Sequence, residues 1–169
     1  MGKKTPEQPF SRRVPSFSDD RGSFRALLQD NDPELRDRHE AWVLQNVSIS
    51  KPGTLRGLHY QDPTWQAKLL TVLEGSIQDV AVDLRPESPD YGQWISFELE
   101  AGRLDQVFIP RGFAHGFLVT GSQPASVVYL ADAPYRPEDE KVLAWNDPKL
   151  AIDWLEEPKC LNDRDQVNR

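Results

Sequence analysis

The chain has 169 residues, of which 38% are hydrophobic and 28% charged, and its net charge is −7 at pH 7. This length and composition suit one globular domain with a sizeable core, and the acidic balance argues against nonspecific nucleic-acid binding. The single cysteine, Cys160, excludes an internal disulfide. Because we find no apolar run long enough to span a membrane and no secretory signal, we expect a cytoplasmic protein without nucleic-acid or membrane partners.

The predicted elements begin with a loose N-terminal arm over residues 1–10, within a single domain that takes up residues 1–169. A short helical turn follows Asp32-Pro33, because proline suits the first position of a helix. Strands over Lys68–Leu73 and Ser76–Leu84 come next, and we predict that Glu74-Gly75 between them forms a hairpin turn. Another short helical turn is expected after Asp147-Pro148.

Two segments alternate apolar and polar side chains, which predicts strands with one buried face. The residues expected to face the core are Val80, Val82 and Leu84 in the first, and Ile95, Phe97 and Leu99 in the second. Asp79, between the apolar positions of the first segment, is expected on the opposite face. Further strands are predicted at Val107–Ile109 and Ser126–Ala131. With 14 prolines and 10 glycines interrupting short apolar segments, the pattern predicts an all-β fold, most simply a double-sheet jelly roll with a few short helices.

The residues favour acid–base chemistry over metal or serine chemistry. The three histidines, at 39, 59 and 115, stand singly without the spacing of a metal site, and no GxSxG elbow is present. The acid–base candidates are His59, Lys68, His115, Tyr129, Tyr135 and Asp165. Each has a structural alternative, since a strand histidine or tyrosine often only fills the core. Composition and periodicity therefore leave a soluble β domain with an acid–base or anion pocket.

A series of motifs narrows this choice. In chain order they are FSDDRGSF, LQNVSISKPGTLRGLHYQ, AKLLTVLEGSIQDVAVDLRPESPDYGQW, FIPRGFAHGF, VVYLADAPYRP, WNDPKLAIDW and LNDRD. Together, from Phe17 to Asp165, they resemble the dTDP-4-dehydrorhamnose 3,5-epimerase family. The resemblance implies a cupin-like double-stranded β-helix, a homodimer, and an isomerase of deoxysugar biosynthesis that needs no metal or other cofactor. Its substrate would be the nucleotide sugar dTDP-4-keto-6-deoxy-D-glucose, inverted at carbons 3 and 5 to dTDP-4-keto-L-rhamnose.

The resemblance also implies a role for each site residue. His59 matches the catalytic base, Asp165 its carboxylate partner, Tyr129 the acid, and Lys68 the cation near the keto oxygen. The remaining matches are substrate-binding residues: Arg21 and Arg56 for the diphosphate, Tyr135 stacking on the base, and Gln45, Asn46, His115, Glu140 and Arg164.

Some positions depart from the family pattern and leave alternatives open. Ala26 stands where an acidic residue is common, Leu130 and Arg164 where lysine is common, and Trp65 and Ala67 where a polar residue and glycine are common. The main alternative is an epimerase that inverts only carbon 3 or carbon 5 of a related 4-keto sugar. A catalytically silent nucleotide-sugar-binding domain and a metal-dependent cupin enzyme are the others.

Overall fold

The computed structural model describes residues 7–29, 32–36, 38 and 41–166. Strands dominate this part of the chain, which confirms the all-β prediction. They are β1 (Phe10–Arg12), β2 (Phe17–Asp19), β3 (Gly22–Phe24), β4 (Leu44–Ser50), β5 (Leu55–Gln61), β6 (Lys68–Glu74), β7 (Ser76–Asp83), β8 (Trp94–Glu100), β9 (Gln106–Ile109), β10 (Phe113–Thr120), β11 (Ala125–Ala131) and β12 (Glu140–Val142). A 3₁₀ helix, Pro137–Asp139, precedes β12.

Two antiparallel five-stranded sheets form the body of the domain. Sheet I has the order β1-β9-β6-β11-β4, and sheet II has the order β12-β5-β10-β7-β8. The main core cluster joins Leu70 and Val127 of sheet I to Ile77 and Phe117 of sheet II. Strands β2 and β3 form a separate two-stranded ribbon. Burial of apolar side chains between two facing sheets is the arrangement of the predicted cupin-like jelly roll.

The predicted hairpin at Glu74-Gly75 is wrong. Strand β6 ends at Glu74 in sheet I and β7 begins at Ser76 in sheet II, so the chain crosses between the sheets at Gly75. Gly75 has φ of +73°, and a Cβ atom there would lie 2.3 Å from the carbonyl oxygen of Pro124. A glycine between two strand segments is compatible both with a hairpin inside one sheet and with a crossing between two sheets. Glycine readily adopts positive φ, which either connection can require.

The predicted faces of β7 are also wrong. Ile77 and Ala81 belong to the core between the sheets, whereas Val80 and Val82 lie on the outer side of sheet II. There the C-terminal segment covers the valines with Leu143, Leu150, Ile152 and Trp154. Both faces of β7 are therefore buried, and Asp79, which is 0% exposed, lies on the inner face with Ile77 and Ala81.

The helical predictions are confirmed as single turns. The amides of Leu35 and Arg36 donate to the carbonyl oxygen of Asp32, and those of Leu150 and Ala151 donate to that of Asp147. No helix in the described ranges is long and apolar enough to cross a membrane.

The last residues of the predicted N-terminal arm lie within the described part of the chain. Residues 1–6 of the predicted arm lie outside the described residues. Pro9 is buried, and Phe10 begins β1, pairing with Phe108 of β9. The last part of the predicted arm is therefore part of the domain.

Candidate active site

A cavity of about 510 Å³ is lined by side chains of both sheets, a volume suited to a small-molecule ligand. Most of the predicted site residues line it: Asn46, Arg56, His59, Lys68, His115, Tyr129, Tyr135, Glu140 and Arg164. The motifs that carry them are far apart in sequence. The pairing of β4, β6 and β11 in sheet I, and of β5, β10 and β12 in sheet II, brings them together.

His59 pairs with Asp165, as the sequence predicts. Nε2 of His59 lies 2.6 Å from Oδ1 of Asp165, the imidazole is 25% exposed, and the carboxylate is 1% exposed. The amide of Asp165 donates to Oδ1 of Asn162, which fixes the turn that carries the carboxylate. Because a carboxylate accepts hydrogen bonds, Nε2 carries the proton in the neutral ring, and Nδ1 keeps its free lone pair.

Lys68 and Tyr129 lie on the opposite sheet, on neighbouring strands β6 and β11. Burial lowers the pKa of the Lys68 ammonium to about 8, against the opposing field of Asp79 and Glu140. Burial raises the pKa of the Tyr129 phenol, and the positive charge of Arg56 partly offsets that rise. Tyr129 therefore carries its proton at neutral pH, as the sequence predicts for an acid.

A second histidine–carboxylate pair lies beside the first. His115 on β10 pairs across the strands with His59 on β5, and its Nε2 lies 2.7 Å from Oδ2 of Asp79. Burial lowers the pKa of the His115 imidazole, although the charge of Asp79 and its hydrogen bond act in the opposite direction. The sequence predicts His115 in the pocket but not Asp79, because the alternation in β7 predicts that Asp79 faces away from the core.

The predicted nucleotide-binding residues form a second group in the cavity wall. The Tyr135 hydroxyl donates to Oε2 of Glu140 at 2.9 Å, and the Arg164 guanidinium binds the same oxygen. The Arg56 Nε atom donates to the Ser50 hydroxyl, which holds that guanidinium in the wall of the cavity.

Three predicted residues are absent from the cavity lining: Asp165, which lies behind His59, and Arg21 and Gln45. Arg21 lies in the turn between β2 and β3, where its side chain is 90% exposed and forms an ion pair with Asp19. Gln45 is on the exposed face of β4, because it alternates with Asn46 along the strand. Their contact with a ligand stays a prediction.

The cavity also contains residues that sequence reasoning missed. Ser48 follows Asn46 by two positions on β4, so both side chains lie on the cavity face. Its hydroxyl is buried and has no hydrogen-bond partner within the described ranges. The two-residue period of β4 was the signal that could have found it. In the same part of the chain, no group of three or more His, Cys, Asp or Glu side chains is placed to hold a metal ion.

Comparison with known proteins agrees with the motif pattern. A family model described as dTDP-4-dehydrorhamnose 3,5-epimerase matches residues 9–169. The chain belongs to this family. It is 43% identical to the dTDP-4-dehydrorhamnose 3,5-epimerase of Neisseria gonorrhoeae over 90% of this chain, and it spans 47% of that relative's length.

Solved structures of epimerases have the same fold. The dTDP-6-deoxy-D-glucose-3,5-epimerase of Legionella pneumophila, solved with dTDP-4-keto-L-rhamnose, is 40% identical with a TM-score of 0.87, covering 93% of this chain and 84% of that one. ChmJ, a 3'-monoepimerase from Streptomyces bikiniensis solved with dTDP-quinovose, is 32% identical with a TM-score of 0.84, covering 94% and 81%.

The departures from the epimerase pattern lie mostly beside the cavity. Leu130 packs with Leu69 and Phe108 in a separate core cluster, so it faces away from the neighbouring Tyr129. Trp65 stacks on Tyr60, with ring centroids 5.3 Å apart, and Tyr60 lines the cavity. Ala67 is buried and its amide donates to Asp132. Arg164, which stands where lysine is common, is the departure that lines the cavity itself.

Proposed function

We propose that this chain inverts carbons 3 and 5 of dTDP-4-keto-6-deoxy-D-glucose to give dTDP-4-keto-L-rhamnose. The observation that carries the proposal is the placement of an imidazole and a phenol on opposite walls of one cavity. His59 belongs to sheet II and Tyr129 to sheet I. Inversion at carbon requires removal of a proton from one face of the sugar and its return to the other face, which two facing walls can provide.

His59 removes the proton. The keto group at carbon 4 acidifies the neighbouring C–H bonds, and the Nδ1 lone pair of His59 accepts the proton. Asp165 holds the ring in the required tautomer and stabilises the imidazolium that forms, through the 2.6 Å contact. The partly exposed ring can then exchange its proton with water, which resets the base.

Lys68 stabilises the enolate. Removal of the proton places negative charge on the oxygen at carbon 4, and a cation fixed in a cavity stabilises that charge without further reorganisation. Because the pKa of Lys68 is about 8, the ammonium is charged at neutral pH and loses its proton in mild alkali.

Tyr129 returns a proton to carbon from the opposite face. Its raised pKa keeps the phenol protonated until the enolate forms. The resulting phenolate lies near Arg56, whose positive charge favours it. Exchange with solvent then restores the phenol, so every proton removed and returned is accounted for.

The nucleotide is held at the Tyr135 end of the cavity. Guanidinium groups suit diphosphate oxygens, and Arg56 and Arg164 both line the cavity. Tyr135 is 49% exposed, which leaves its ring accessible for stacking on the base. Asn46 and Glu140 supply polar contacts in the same wall.

A homodimer would give Arg21 and Gln45 a place in the reaction. The ribbon that carries Arg21 exposes Phe17 and Phe24, which are 65% and 68% exposed. Strand β4, at the edge of sheet I, exposes Val47 and Ile49. Exposed apolar side chains on an edge strand favour association with another chain. Light scattering at micromolar concentration tests for the homodimer, and a monomer would contradict it.

The cytoplasmic location stays a prediction.

Proton NMR in D₂O tests the proposed activity. The protein is mixed with dTDP-4-keto-6-deoxy-D-glucose, and the signals of hydrogens 3 and 5 are followed. Loss of both, and recovery of the L-rhamnose nucleotide after addition of a 4-keto reductase, supports inversion at both carbons. Retention of both signals would contradict the proposal for this substrate.

A single-carbon epimerase is the second candidate. The similarity to the 3'-monoepimerase ChmJ, at 32% identity, is the observation that favours it. In the same experiment this candidate predicts loss of hydrogen 3 or hydrogen 5 alone.

A further inference from the structure

Asp79 is a buried carboxylate to which the proposed reaction assigns no role. It is 0% exposed on β7, and one of its oxygens, Oδ2, contacts His115 at 2.7 Å. Its other oxygen, Oδ1, is also buried and has no hydrogen-bond partner in the part of the chain that the structure describes. A buried polar atom without a partner costs free energy, so it calls for an electrostatic or functional reason.

Lys68 supplies an electrostatic reason. It lies on β6 of the sheet opposite Asp79, and burial alone would drive its ammonium toward the neutral form. The charges that oppose this are Asp79 on β7 and Glu140 on β12. Glu140 already forms an ion pair with Arg164, whereas the buried Oδ1 atom of Asp79 has no hydrogen-bond partner among the described residues. Asp79 also opposes the fall in the Lys68 pKa more strongly than Glu140 does.

The other charged and titratable groups around the cavity do not replace Asp79. They are Arg56 and His59 on β5, His115 on β10, Tyr129 on β11, Tyr60, Tyr135 and Arg164. The arginines among them disfavour a charged Lys68, and none of the others in this set is a carboxylate. Removal of the Asp79 charge therefore leaves the ammonium with weaker compensation for its lost hydration.

We propose that Asp79 is a positioning residue with two tasks: it fixes the tautomer of His115, and it is the buried counter-ion that keeps Lys68 charged. The proposal rests on the role given above to Lys68 at the enolate oxygen. Because the Asp79 carboxylate accepts from Nε2 of His115, the neutral ring offers Nδ1 as an acceptor, which suits a sugar hydroxyl. One carboxylate thus sets the hydrogen-bonding state of one residue and the charge of another.

Asp79→Asn tests the counter-ion task through the pH profile of proton exchange. In the wild-type protein, exchange should decline as the pH rises through about 8, where Lys68 loses its proton. In the variant that decline should move to lower pH by about one unit or more, because an opposite charge near an ammonium raises its pKa by that order. Thymidine diphosphate, which does not react, should bind with an affinity within about threefold of wild type.

Two further variants separate the tasks. His115→Asn retains the Asp79 side chain, so it should slow exchange without moving the alkaline decline. Asp83→Asn removes another buried carboxylate from β7, one that is bound to Arg85 and Ser88 outside the cavity. It is the matched control and should leave the decline in place. A decline that stays in place in Asp79→Asn would overturn the counter-ion task, since a merely structural loss lowers the rate at every pH.

The tautomer task is tested on the wild-type protein, so the test stands even if Asp79→Asn does not fold. Nitrogen-15 NMR of the histidine-labelled protein at pH 7 should place the His115 proton on Nε2 and leave Nδ1 unprotonated. A proton on Nδ1, or an imidazolium, would overturn the assignment. Because neither this measurement nor thymidine diphosphate binding requires turnover, failure here is distinguishable from failure of the proposed epimerase activity.

Discussion

The two histidine–carboxylate pairs in the cavity have nearly the same geometry and different surroundings. His59 lies 2.6 Å from Asp165 with its ring 25% exposed, and His115 lies 2.7 Å from Asp79 with its ring 8% exposed. Burial lowers the pKa of His115, which keeps that ring neutral. The partly exposed ring can accept a proton and release it to water, whereas the buried ring is better suited to a fixed hydrogen bond.

The carboxylates differ in how the chain supplies them. Asp79 lies on β7, which pairs with the strand of His115, so the sheet itself fixes the second pair. Asp165 comes from a turn 106 residues after His59. Histidine–carboxylate geometry alone therefore does not identify the base, and our assignment of His59 rests on the greater exposure of its ring.

His59→Asn should have the largest effect on activity. Asparagine can still donate to Asp165 but cannot accept a proton at neutral pH, so exchange at the sugar carbons should fall by about 10³-fold or more. His115→Asn should keep measurable exchange, reduced by about tenfold, because it removes the hydrogen bond that we propose between His115 and the sugar. Exchange measured by NMR in D₂O compares the two variants. Greater loss in His115→Asn would reverse the assignment of the base.

Asp165→Asn should have the next largest effect. An amide can donate to Nε2 as well as accept from it, so the ring can adopt the tautomer whose Nδ1 carries a proton and cannot act as a base. We expect exchange to fall by about 10²-fold, with little change in thymidine diphosphate binding. Nitrogen-15 NMR of His59 measures the tautomer directly. An unchanged tautomer together with slow exchange would show that Asp165 acts through charge instead of orientation.

Tyr129→Phe should separate the removal of the proton from its return. Because His59 is retained in this variant, exchange of the sugar hydrogens with solvent should stay within about tenfold of the wild-type rate. Formation of the inverted product should fall by about 10²-fold, because it needs the proton that Tyr129 donates. Both rates come from one NMR time course with the reductase present. An equal fall of exchange and turnover would give Tyr129 a different role.

The sequence predicted most of the cavity because the motifs place chemically distinct residues on strands. His59, Lys68 and Tyr129 each lie on a predicted or motif-defined strand, and the resemblance gave their partners. The strand pairing that joins them could not be obtained from periodicity alone, since the Glu74-Gly75 turn has the sequence of a hairpin but connects two sheets.

Asp79 was missed for a physical reason. Alternation identifies the buried face of a strand only when the other face meets water. In β7 the inner face holds Asp79 and Ala81, while Val80 and Val82 are buried beneath the C-terminal segment. In the neighbouring β8, at the edge of sheet II, the alternation predicted Leu99 and Phe97 correctly, although Ile95 is 37% exposed.

The smallest predicted free-energy change is in the stability of Lys68→Met, which tests the charge that Asp79 supports. The pKa of Lys68 is about 8 in the folded protein and 10.5 ordinarily, so between those values the unfolded chain holds a proton that the folded protein has released. The free energy of unfolding contributed by this group therefore rises with pH between about 8 and 10.5 and is lost as the pH falls through 8. Methionine removes the titration and retains the apolar stem.

The Lys68→Met variant should consequently be more stable than wild type at pH 7, by on the order of 2 kcal/mol once solvent screening of a half-buried side chain is allowed for. That advantage should shrink steadily in urea titrations at pH 8, 9 and 10. Lys141→Met, at an exposed position of β12, is the control and should show a difference that does not change over this range. A constant difference for Lys68→Met would mean that Lys68 titrates as an exposed lysine does, and the cavity would then hold its ammonium without electrostatic cost.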